Sequence, residues 1–542
     1  MQGLMMDSPL LISSILSFAA KNHPDVEIVS ELSSGERHRY RYADANKRIA
    51  QLAHGLGKLG VEPGDRVGTI AWNDFRHFEI YYATSCSGAV CHTINPRLFG
   101  EQLTYIINHA EDAWLFVDPM FVPLVEGLAG SLTTVKGIVV MCGADELPDS
   151  KLDNVHAYES LIAGEPTEFD WPKFDEDRAS SLCYTSGTTG DPKGVLYSHR
   201  STVLHAMSLG MVDSIGFCCR DSVLAVVPMF HVNAWGTPYG AAMVGAKLVF
   251  PGPKMGDPET LQDLIESENV TLALGVPTIW LGLLTYLEKT GKGLGSLKRT
   301  VVGGAACPPS IMQTFSDRYG VRTMHGWGMT EMSPLGTINT PKPFMDQLDF
   351  NDRFAVEVKQ GHGLFGVEMK ITDDDNNELP WDGSTFGSLK VRGPWICDQY
   401  FRMEKSKSHD PDGWFPTGDV STIDANGYMQ IVDRTKDVIK SGGEWVSSVE
   451  LENVAMAHAS VAEAAVIGIP HPKWSERPLL IVVAKEGATI NKEALLSFFD
   501  GKVASWWIPE DVAQVEELPH TATGKVKKLA LREQFKDYQV SS

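Results

Sequence analysis

Basic residues are few in this chain of 542 residues: 47 lysines and arginines stand against 69 aspartates and glutamates, for a formal net charge of −22. Nucleic acids and anionic membranes are bound by basic surfaces that release or attract counterions. We therefore expect no nucleic-acid partner and no stable membrane insertion. A locally basic pocket remains compatible with this total.

Cysteine is scarce and follows no recognisable pattern. The eight cysteines form no C-x-x-C pair, and none has a histidine at zinc-ligand spacing. The sequence therefore excludes the common zinc sites, and we expect reduced, mostly buried thiols.

Long uninterrupted apolar segments are also missing. The uncharged run "VTLALGVPTIWLGLLTYL" at 270–287 is divided by Gly275 and Pro277, which predicts a buried strand followed by a helix that starts near Pro277. The N-terminus lacks a basic segment and carries Asp7, so it predicts an amphipathic helix instead of a secretory signal. From these features we expect a cytoplasmic protein.

Short β-like runs alternate with helical patterns, and no internal repeat interrupts them. Apolar runs such as "DRVGTIAW", "AWLFVD", "SVLAVVP" and "RTVVGGA" precede longer amphipathic segments. This alternation predicts βα units, largely parallel sheets and an α/β fold. The length favours two or more domains, with a possible break at 431–445 and further strands in "AEAAVIGI" and "PLLIVVAKEG".

The stretch "YTSGTTGDPKG" at 184–194 has the composition of a polyphosphate-binding loop. Its glycines permit close backbone approach, its hydroxyls supply donors, and Lys193 supplies a positive charge. It is not a Walker loop, because Lys193 is followed by Gly194 and not by a hydroxyl residue. It also lacks the G-x-G-x-x-G spacing of dinucleotide-binding proteins.

Several further motifs follow this loop along the chain. They are "PMFHVNAWG" at 228–236, "GGAA" at 303–306, "HGWGMTEMSP" at 325–334, "GWFPTGD" at 413–419, "DRTKDVIKSGGEWVSSVELE" at 433–452 and "PHTATGK" at 519–525. In this order they closely resemble the adenylate-forming acyl-CoA synthetases, over nearly the whole chain. Within that family the sequence is most similar to fatty-acyl-CoA ligases and bacterial 3-methylmercaptopropionyl-CoA ligases.

The resemblance implies a large N-terminal domain of β-sheets flanked by helices and a small mobile α+β C-terminal domain. The expected boundaries are 1–432 for the AMP- and acyl-binding domain, 433–438 for the hinge and 439–542 for the mobile domain. It also implies the reaction: ATP converts a carboxylate to an acyl-AMP with loss of pyrophosphate, and the CoA thiol then displaces AMP. ATP, CoA and Mg²⁺ are the expected cofactors, and a homodimer is common among such relatives.

The same resemblance assigns nucleotide and metal positions. It places Mg²⁺ on Glu331 together with Thr185, the ribose on Asp419 and Arg434, the α-phosphate beside Thr330, and the adenine between the "GGAA" backbone and the segment at 326–328. The residues expected to bind phosphates or adenine are Thr185, Ser186, Gly187, Thr188, Thr189, Gly190, Lys193, Gly303, Gly304, Ala305, Gly326, Trp327 and Gly328.

Catalytic and CoA-binding positions follow in the same way. Lys525 is expected to bridge the acyl carboxylate and the α-phosphate, and His231 to lie beside their path. The small domain is expected to turn at Lys436 and to bring the 440–445 loop to the site, where Gly442 and Gly443 leave room for pantetheine beside Lys440 and Trp445. Two further lysines, Lys527 and Lys528, are expected on a solvated helix face.

The acid is the least determined part of the sequence interpretation. Trp235 matches a tryptophan at the mouth of the acyl tunnel in fatty-acyl-CoA ligases, and Gly303 and Pro334 are expected to flank the same cavity. A pocket closed by Trp235 favours acids of about butyrate to octanoate size, including 3-methylmercaptopropionate. Four alternatives remain open: a long-chain ligase, an enzyme that loads a carrier protein, a luciferase-like oxidase and an inactive nucleotide-binding scaffold.

Overall fold

The structure is a computed structural model that describes residues 1, 3–185, 191–441, 444–520, 526–536 and 538. Of Lys407, Lys440, Glu444 and Trp445 it describes the backbone alone. The strands are β1 (Glu27–Glu31), β2 (Arg37–Arg41), β3 (Arg66–Ile70), β4 (Val90–Thr93), β5 (Asp112–Val117), β6 (Gly137–Val140), β7 (Val155–Ala157), β8 (Ala179–Tyr184), β9 (Gly194–Ser198), β10 (Ser222–Ala225), β11 (Lys247–Phe250), β12 (Leu272–Gly275), β13 (Arg299–Val302), β14 (Arg322–Gly328), β15 (Leu335–Ile338), β16 (Gly361–Gly363), β17 (Glu368–Thr372), β18 (Gly387–Arg392), β19 (Phe415–Ile423), β20 (Tyr428–Arg434), β21 (Ile439–Ser441), β22 (Glu444–Val446), β23 (Val461–His471), β24 (Ser475–Ala484) and β25 (Asp511–Gln514).

Helices connect most of these strands. They are α1 (Ile12–Asn22), α2 (Tyr42–Lys58), α3 (Phe75–Cys86), α4 (Gly100–Ala110), α5 (Val122–Leu128), α6 (Tyr158–Ile162), α7 (His199–Leu209), α8 (Val232–Trp235), α9 (Thr237–Val244), α10 (Pro258–Ser267), α11 (Pro277–Thr290), α12 (Pro309–Tyr319), α13 (Phe350–Glu357), α14 (Ser448–Met456), α15 (Lys492–Ser497) and α16 (Lys528–Gln534). The α8 turn is left-handed, as its dihedral angles below show.

The first sheet has seven strands in the order β7-β6-β5-β3-β4-β8-β9. All its pairings are parallel except the last, in which β9 runs antiparallel to β8. Strands such as β5, which is buried along its whole length, are apolar on both faces because helices cover both sides of a parallel sheet. This part of the fold has the βα organisation that the sequence predicts.

The second sheet has thirteen strands in the order β17-β18-β19-β20-β16-β15-β14-β13-β12-β10-β11-β1-β2. Its parallel half runs from β1 to β14, but β15 to β20 join through antiparallel pairings. The expectation of largely parallel sheets is therefore wrong for this half, whose strands mix polar and apolar residues instead of forming continuous apolar runs.

The last strands form a sheet of their own. It has five strands, with β22-β21-β24-β23 in order and β25 parallel to β24. Helices α14 and α16 contact β23, and α15 contacts β25. The strands predicted in "AEAAVIGI" and "PLLIVVAKEG" are β23 and β24.

Two local predictions about apolar segments are confirmed. The 270–287 run consists of the buried strand β12 and helix α11, which begins at Pro277 where a missing N–H costs nothing. Helix α1 is amphipathic and buries Ile12, Ile15, Leu16 and Ala19. Across the described part of the chain, no helix combines the length and the apolar character needed to cross a membrane.

One lysine near the C-terminus does not lie on a solvated face. The Lys528 ammonium lies 2.7 Å from Glu452 Oε1 and its side chain is 12% exposed. An amphipathic pattern cannot reveal this partner, since Glu452 belongs to α14, far away in the sequence. The second lysine, Lys527, lies over the Phe99 ring at 5.5 Å.

Candidate functional site

The two arms of the 184–194 loop are joined at its base. The Thr185 N–H donates to the Lys193 carbonyl across 2.9 Å, and the Lys193 N–H donates to Thr185 Oγ1 across 3.1 Å. The loop therefore projects from the carboxyl end of β8, the edge where ligands bind to parallel sheets. Its predicted phosphate-binding tip lies outside the described residues: Ser186, Gly187, Thr188, Thr189 and Gly190.

Glu331 and Lys193 approach each other through a tyrosine. Glu331 lies in a short turn after β14 and is buried. The Tyr400 hydroxyl donates to its Oε1 across 2.6 Å, and the Lys193 ammonium lies 4.9 Å from the Tyr400 ring centroid. Beside it, the Thr330 carbonyl accepts a hydrogen bond from the Tyr197 hydroxyl at 2.5 Å. The structure thus joins the loop lysine to the buried carboxylate.

Asp419 and Arg434 face each other on neighbouring strands. They are directly opposite in the antiparallel pair β19–β20, and Arg434 Nε lies 2.8 Å from Asp419 Oδ1. The other carboxylate oxygen accepts the indole N–H of Trp327 across 2.9 Å. Asp419 is buried, whereas Arg434 is 43% exposed and reaches toward solvent. This contact brings β14, β19 and β20 together at one edge.

Glycines at the ends of β13 and β14 allow their backbones to approach closely. A Cβ on Gly303 would lie 3.2 Å from the Gly326 carbonyl oxygen, and one on Gly328 would lie 2.1 Å from the Pro334 carbonyl oxygen. Gly304 has φ +80°, which favours glycine, and Ala305 follows it. Gly303 and Gly326, which belong to the two segments that the resemblance assigns to the adenine, therefore lie in close backbone contact.

Trp235 lies against this glycine pair. Its ring is 3.2 Å from the Cβ position of Gly303 and 3.8 Å from that of Gly304. Pro334 is connected to the Trp235 turn indirectly. The N–H of the next residue, Leu335, donates to His205 Nε2 across 3.2 Å. The His205 ring in turn lies 2.8 Å from the Cβ position of Gly236. Trp235 is therefore in contact with Gly303, whereas Pro334 is connected to the Trp235 turn through Leu335 and His205.

His231 immediately precedes the turn that carries Trp235. It is half-buried, and its N–H donates to the Pro228 carbonyl across 3.1 Å. The carbonyl of His231 accepts the Ala234 N–H at 3.3 Å, which closes the turn. His231 therefore lies between the loop that follows β10 and the turn that carries Trp235.

The predicted CoA and hinge residues are described only in part. Lys436 lies in the turn after β20, where its carbonyl accepts a hydrogen bond from Arg532 at 3.0 Å. Lys440 and Trp445 are paired across β21 and β22, and only their backbones are described. Gly442, Gly443 and Lys525 lie outside the described residues.

Comparison with known proteins decides the family. The model of the AMP-binding enzyme family matches residues 16–401, and that of the AMP-binding enzyme C-terminal domain matches 450–525. This chain belongs to the AMP-binding enzyme family.

Relatives of this AMP-binding enzyme cover its whole length. It is 55% identical over 537 residues to a 3-methylmercaptopropionyl-CoA ligase of Ruegeria lacuscaerulensis, covering 99% of each chain. It is 50% identical over 542 residues to a medium-chain-fatty-acid–CoA ligase of Ectopseudomonas oleovorans, covering 100% of this chain and 99% of that one. Its fold matches the crystal structure of an anthranilate CoA ligase in complex with anthranoyl-AMP, with TM-score 0.86, 25% identity and 98% of both chains covered.

These matches confirm the predicted family, the α/β fold with a smaller C-terminal domain, and the enzyme class. Full-length relatives are acid–thiol ligases, so the prediction of an AMP-forming acid–CoA ligase is confirmed at that level. Enzymes of this class use ATP, CoA and Mg²⁺.

The residues present fit a magnesium ion. Burial raises the pKa of the Glu331 carboxyl, while the Tyr400 hydrogen bond and the charges of Arg434 and Lys193 act in the opposite direction. A buried carboxylate oxygen is a hard donor of the kind that Mg²⁺ prefers. Within the described residues no group of three or more His, Cys, Asp or Glu side chains is placed to hold a metal ion.

Two side chains of the site were not predicted: Tyr400 and His205. Tyr400 is separated from Glu331 by 69 residues and His205 from Leu335 by 130, so no local spacing relates them.

Proposed function

We propose that this AMP-binding enzyme converts a short or medium-chain carboxylic acid to its acyl-CoA, with 3-methylmercaptopropionate as the best candidate. The contact of Trp235 with Gly303 and Gly304 carries this proposal, because a large ring over paired glycines would shorten an acyl cavity that ends there. The 55% identical relative is named for 3-methylmercaptopropionate, which supports the same acid.

In the first half-reaction an anionic carboxylate must attack an anionic α-phosphate. We assign the 185–190 hydroxyls and amides together with Lys193 to the triphosphate, where fixed donors offset the charge that develops on pyrophosphate. Thr330 is assigned to the α-phosphate, His231 to the carboxylate path and Lys525 to the bridge between the two reacting groups. These assignments rest on the family positions of the residues.

Glu331, with Thr185, would hold the magnesium ion. When bound, Mg²⁺ offsets phosphate charge and orients the leaving pyrophosphate. Tyr400 fixes one oxygen of Glu331, which leaves the carboxylate in a single orientation.

The nucleoside is assigned to the β14, β19 and β20 edge. Asp419 is oriented by Arg434 and Trp327 so that its carboxylate can accept from ribose hydroxyls. By family position the adenine is assigned to the segments 303–305 and 326–328, whose glycines leave the backbone uncovered.

In the second half-reaction the CoA thiol attacks the acyl carbonyl, and AMP leaves. We propose that residues 439–542 turn on a hinge at 433–438, with Lys436 as its pivot, and that Lys440, Gly442, Gly443 and Trp445 then line the pantetheine path. The Arg532 guanidinium lies 2.8 Å from Asp437 Oδ1 within this hinge, a contact that ties α16 to it. The cytoplasmic location and the homodimer stay predictions.

The proposal is tested by kcat/KM for acyl-CoA formation across butyrate, 3-methylmercaptopropionate, octanoate and palmitate, in the parent and in Trp235→Ala. Each buried methylene adds about 0.8 kcal/mol until the cavity ends, so specificity should rise several-fold per carbon and then fall. We expect a parent optimum at or below octanoate and a longer optimum in the variant. A parent optimum at palmitate, or one that Trp235→Ala leaves in place, would contradict the closed pocket, and thioester formed only on a carrier protein would favour that alternative.

A further inference from the structure

The segment that carries Trp235 has an unusual backbone. Four successive residues without a glycine, Val232 to Trp235, have φ values of +47°, +51°, +49° and +56°. The left-handed conformation costs roughly 1–2 kcal/mol per residue for L-amino acids, and a β-branched residue such as Val232 tolerates it poorly. Such a backbone persists only where the surroundings determine it.

Asn233 connects this turn to the interior. Its amide Nδ2 donates to Ser181 Oγ across 2.9 Å, and the Cys183 thiol donates to its Oδ1 across 3.5 Å. Asn233, Ser181 and Cys183 are all buried. Both partners belong to β8, which is paired with β4 on one side and β9 on the other, so the side chain of Asn233 is fixed to a rigid element. Asparagine is also one of the few residues that adopt the left-handed region readily.

The other end of the turn is fixed by a close approach. Gly236 has φ +75°, and a Cβ at this position would lie 2.8 Å from the buried His205 ring. With Asn233 bonded on one side and Gly236 packed on the other, Trp235 has little freedom of backbone. The direction of its Cα–Cβ bond, and hence the contact of its ring with Gly303 and Gly304, follows from this geometry.

We propose that Asn233 is a positioning residue for acyl-chain selection: through Ser181 and Cys183 it holds the left-handed turn that presents Trp235 to the glycine pair. This inference rests on the proposed function, in which Trp235 closes the acyl pocket. Asn233 touches none of the reacting atoms in this role and acts only through Trp235.

The hydrogen bonds of Asn233 to Ser181 and Cys183 are the anchor of the turn, and two variants weaken this anchor in different ways. Asn233→Gly keeps a residue that accepts the left-handed backbone but removes both side-chain bonds, and Ser181→Ala removes one bonding partner without replacing a residue of the turn. Each lost hydrogen bond is worth about fivefold in an equilibrium. We expect the ratio of kcat/KM for dodecanoate to that for butyrate to rise about fivefold in Ser181→Ala and more in Asn233→Gly.

Ser180→Ala is the matched control. Ser180 is the adjacent buried serine of β8, but its hydroxyl donates to the Tyr197 carbonyl across 3.2 Å and does not contact Asn233. In Ser180→Ala the ratio of kcat/KM for dodecanoate to that for butyrate should stay within about twofold of the parent value. In a Trp235→Ala background, Asn233→Gly and Ser181→Ala should change the ratio no further, because the ring that they position is gone.

The inference is overturned if the anchor variants lower kcat/KM equally for all acids, if they leave the ratio unchanged, or if their effect persists without Trp235. Should Asn233→Gly fail to fold, Ser181→Ala alone decides between these results. A parent that forms no acyl-CoA from any acid refutes the proposed function and with it the role of Asn233. A parent with a short-chain optimum and unresponsive anchor variants refutes the role of Asn233 alone.

Discussion

The Tyr400 hydroxyl lies 2.6 Å from Glu331 Oε1, while the face of its ring lies 4.9 Å from the Lys193 ammonium. One side chain therefore contacts both the proposed magnesium ligand and the lysine of the proposed triphosphate loop. Replacing the tyrosine by phenylalanine separates these two contacts, because the ring stays and only the hydroxyl is lost.

Tyr400→Phe should lower the apparent affinity for Mg²⁺ more than it lowers the stability of the fold. A hydrogen bond to a charged group is worth about 1.5–3 kcal/mol, so we expect the Mg²⁺ concentration for half-maximal acid-dependent ATP–pyrophosphate exchange to rise about tenfold to hundredfold. Binding of Mn²⁺ in the presence of ATP, followed by electron paramagnetic resonance, gives a second measurement. Tyr428→Phe is the control, since that buried hydroxyl donates to the Thr340 carbonyl across 2.7 Å. An equal change of Mg²⁺ dependence in both variants would remove the special role of Tyr400.

Asp419→Asn should act on ATP binding. The variant keeps an oxygen that can accept the Trp327 N–H but loses the ion pair with Arg434 and one strong acceptor for ribose. We expect KM for ATP to rise about tenfold, with KM for CoA within about twofold of the parent, because hydrogen bonds to charged groups are the ones lost. Asp424→Asn, which breaks the 2.6 Å pair with Lys359 at the turn of the same hairpin, serves as the comparison. If the two variants alter KM for ATP alike, Asp419 has no direct part in nucleotide binding.

The sequence predicts parallel strands such as β5, β6 and β10 well because their segments are largely apolar. It does not predict β16, whose three residues Gly361–Gly363 include no large apolar side chain, or the antiparallel half around it. Those strands are defined by pairing with neighbours, which a local pattern does not contain.

The nucleotide motifs indicate the site's members but not how they are held. Lys193, Glu331, Asp419 and Arg434 are recognisable from family motifs, whereas Tyr400 contacts two of them from a segment without a distinctive motif. The left-handed turn is even less visible, since "VNAW" has no glycine to indicate positive φ. Lys528 illustrates the same limit, because its burial against Glu452 depends on how α16 packs on α14.

The two half-reactions should be separable by variants at Lys525 and Gly443, both outside the described residues. By family position, Lys525→Ala should nearly abolish acyl-AMP synthesis but still convert supplied acyl-AMP and CoA to thioester. Gly443→Leu should block the pantetheine path while ATP–pyrophosphate exchange continues. Both variants are measured by pyrophosphate exchange and by thioester formation from synthetic acyl-AMP. Equal loss of both steps in two folded variants would refute the assignment of Lys525 to the first half-reaction and of Gly443 to the second.

His205 should make the stability of the large domain depend on pH. It is buried in α7, where its Nε2 accepts the Leu335 N–H, and burial lowers its pKa from 6.5 to about 3. The unfolded chain therefore binds a proton that the folded chain does not between these values, so the contribution to stability is present above pH 6.5 and is lost progressively as the pH falls toward 3. Within that window one such site contributes about 1.4 kcal/mol per pH unit to the slope of the unfolding free energy.

His205→Gln offers an oxygen near the Leu335 N–H and does not titrate. The slope of its unfolding free energy between pH 4 and 5.5 should therefore be smaller than that of the parent by about this amount. Urea unfolding of both proteins at several pH values measures the difference, with His156→Gln as a control because that histidine lies in an exposed contact with Asn154. Equal slopes for the parent and His205→Gln would mean that the buried imidazole is protonated in the folded enzyme or does not titrate differently on unfolding.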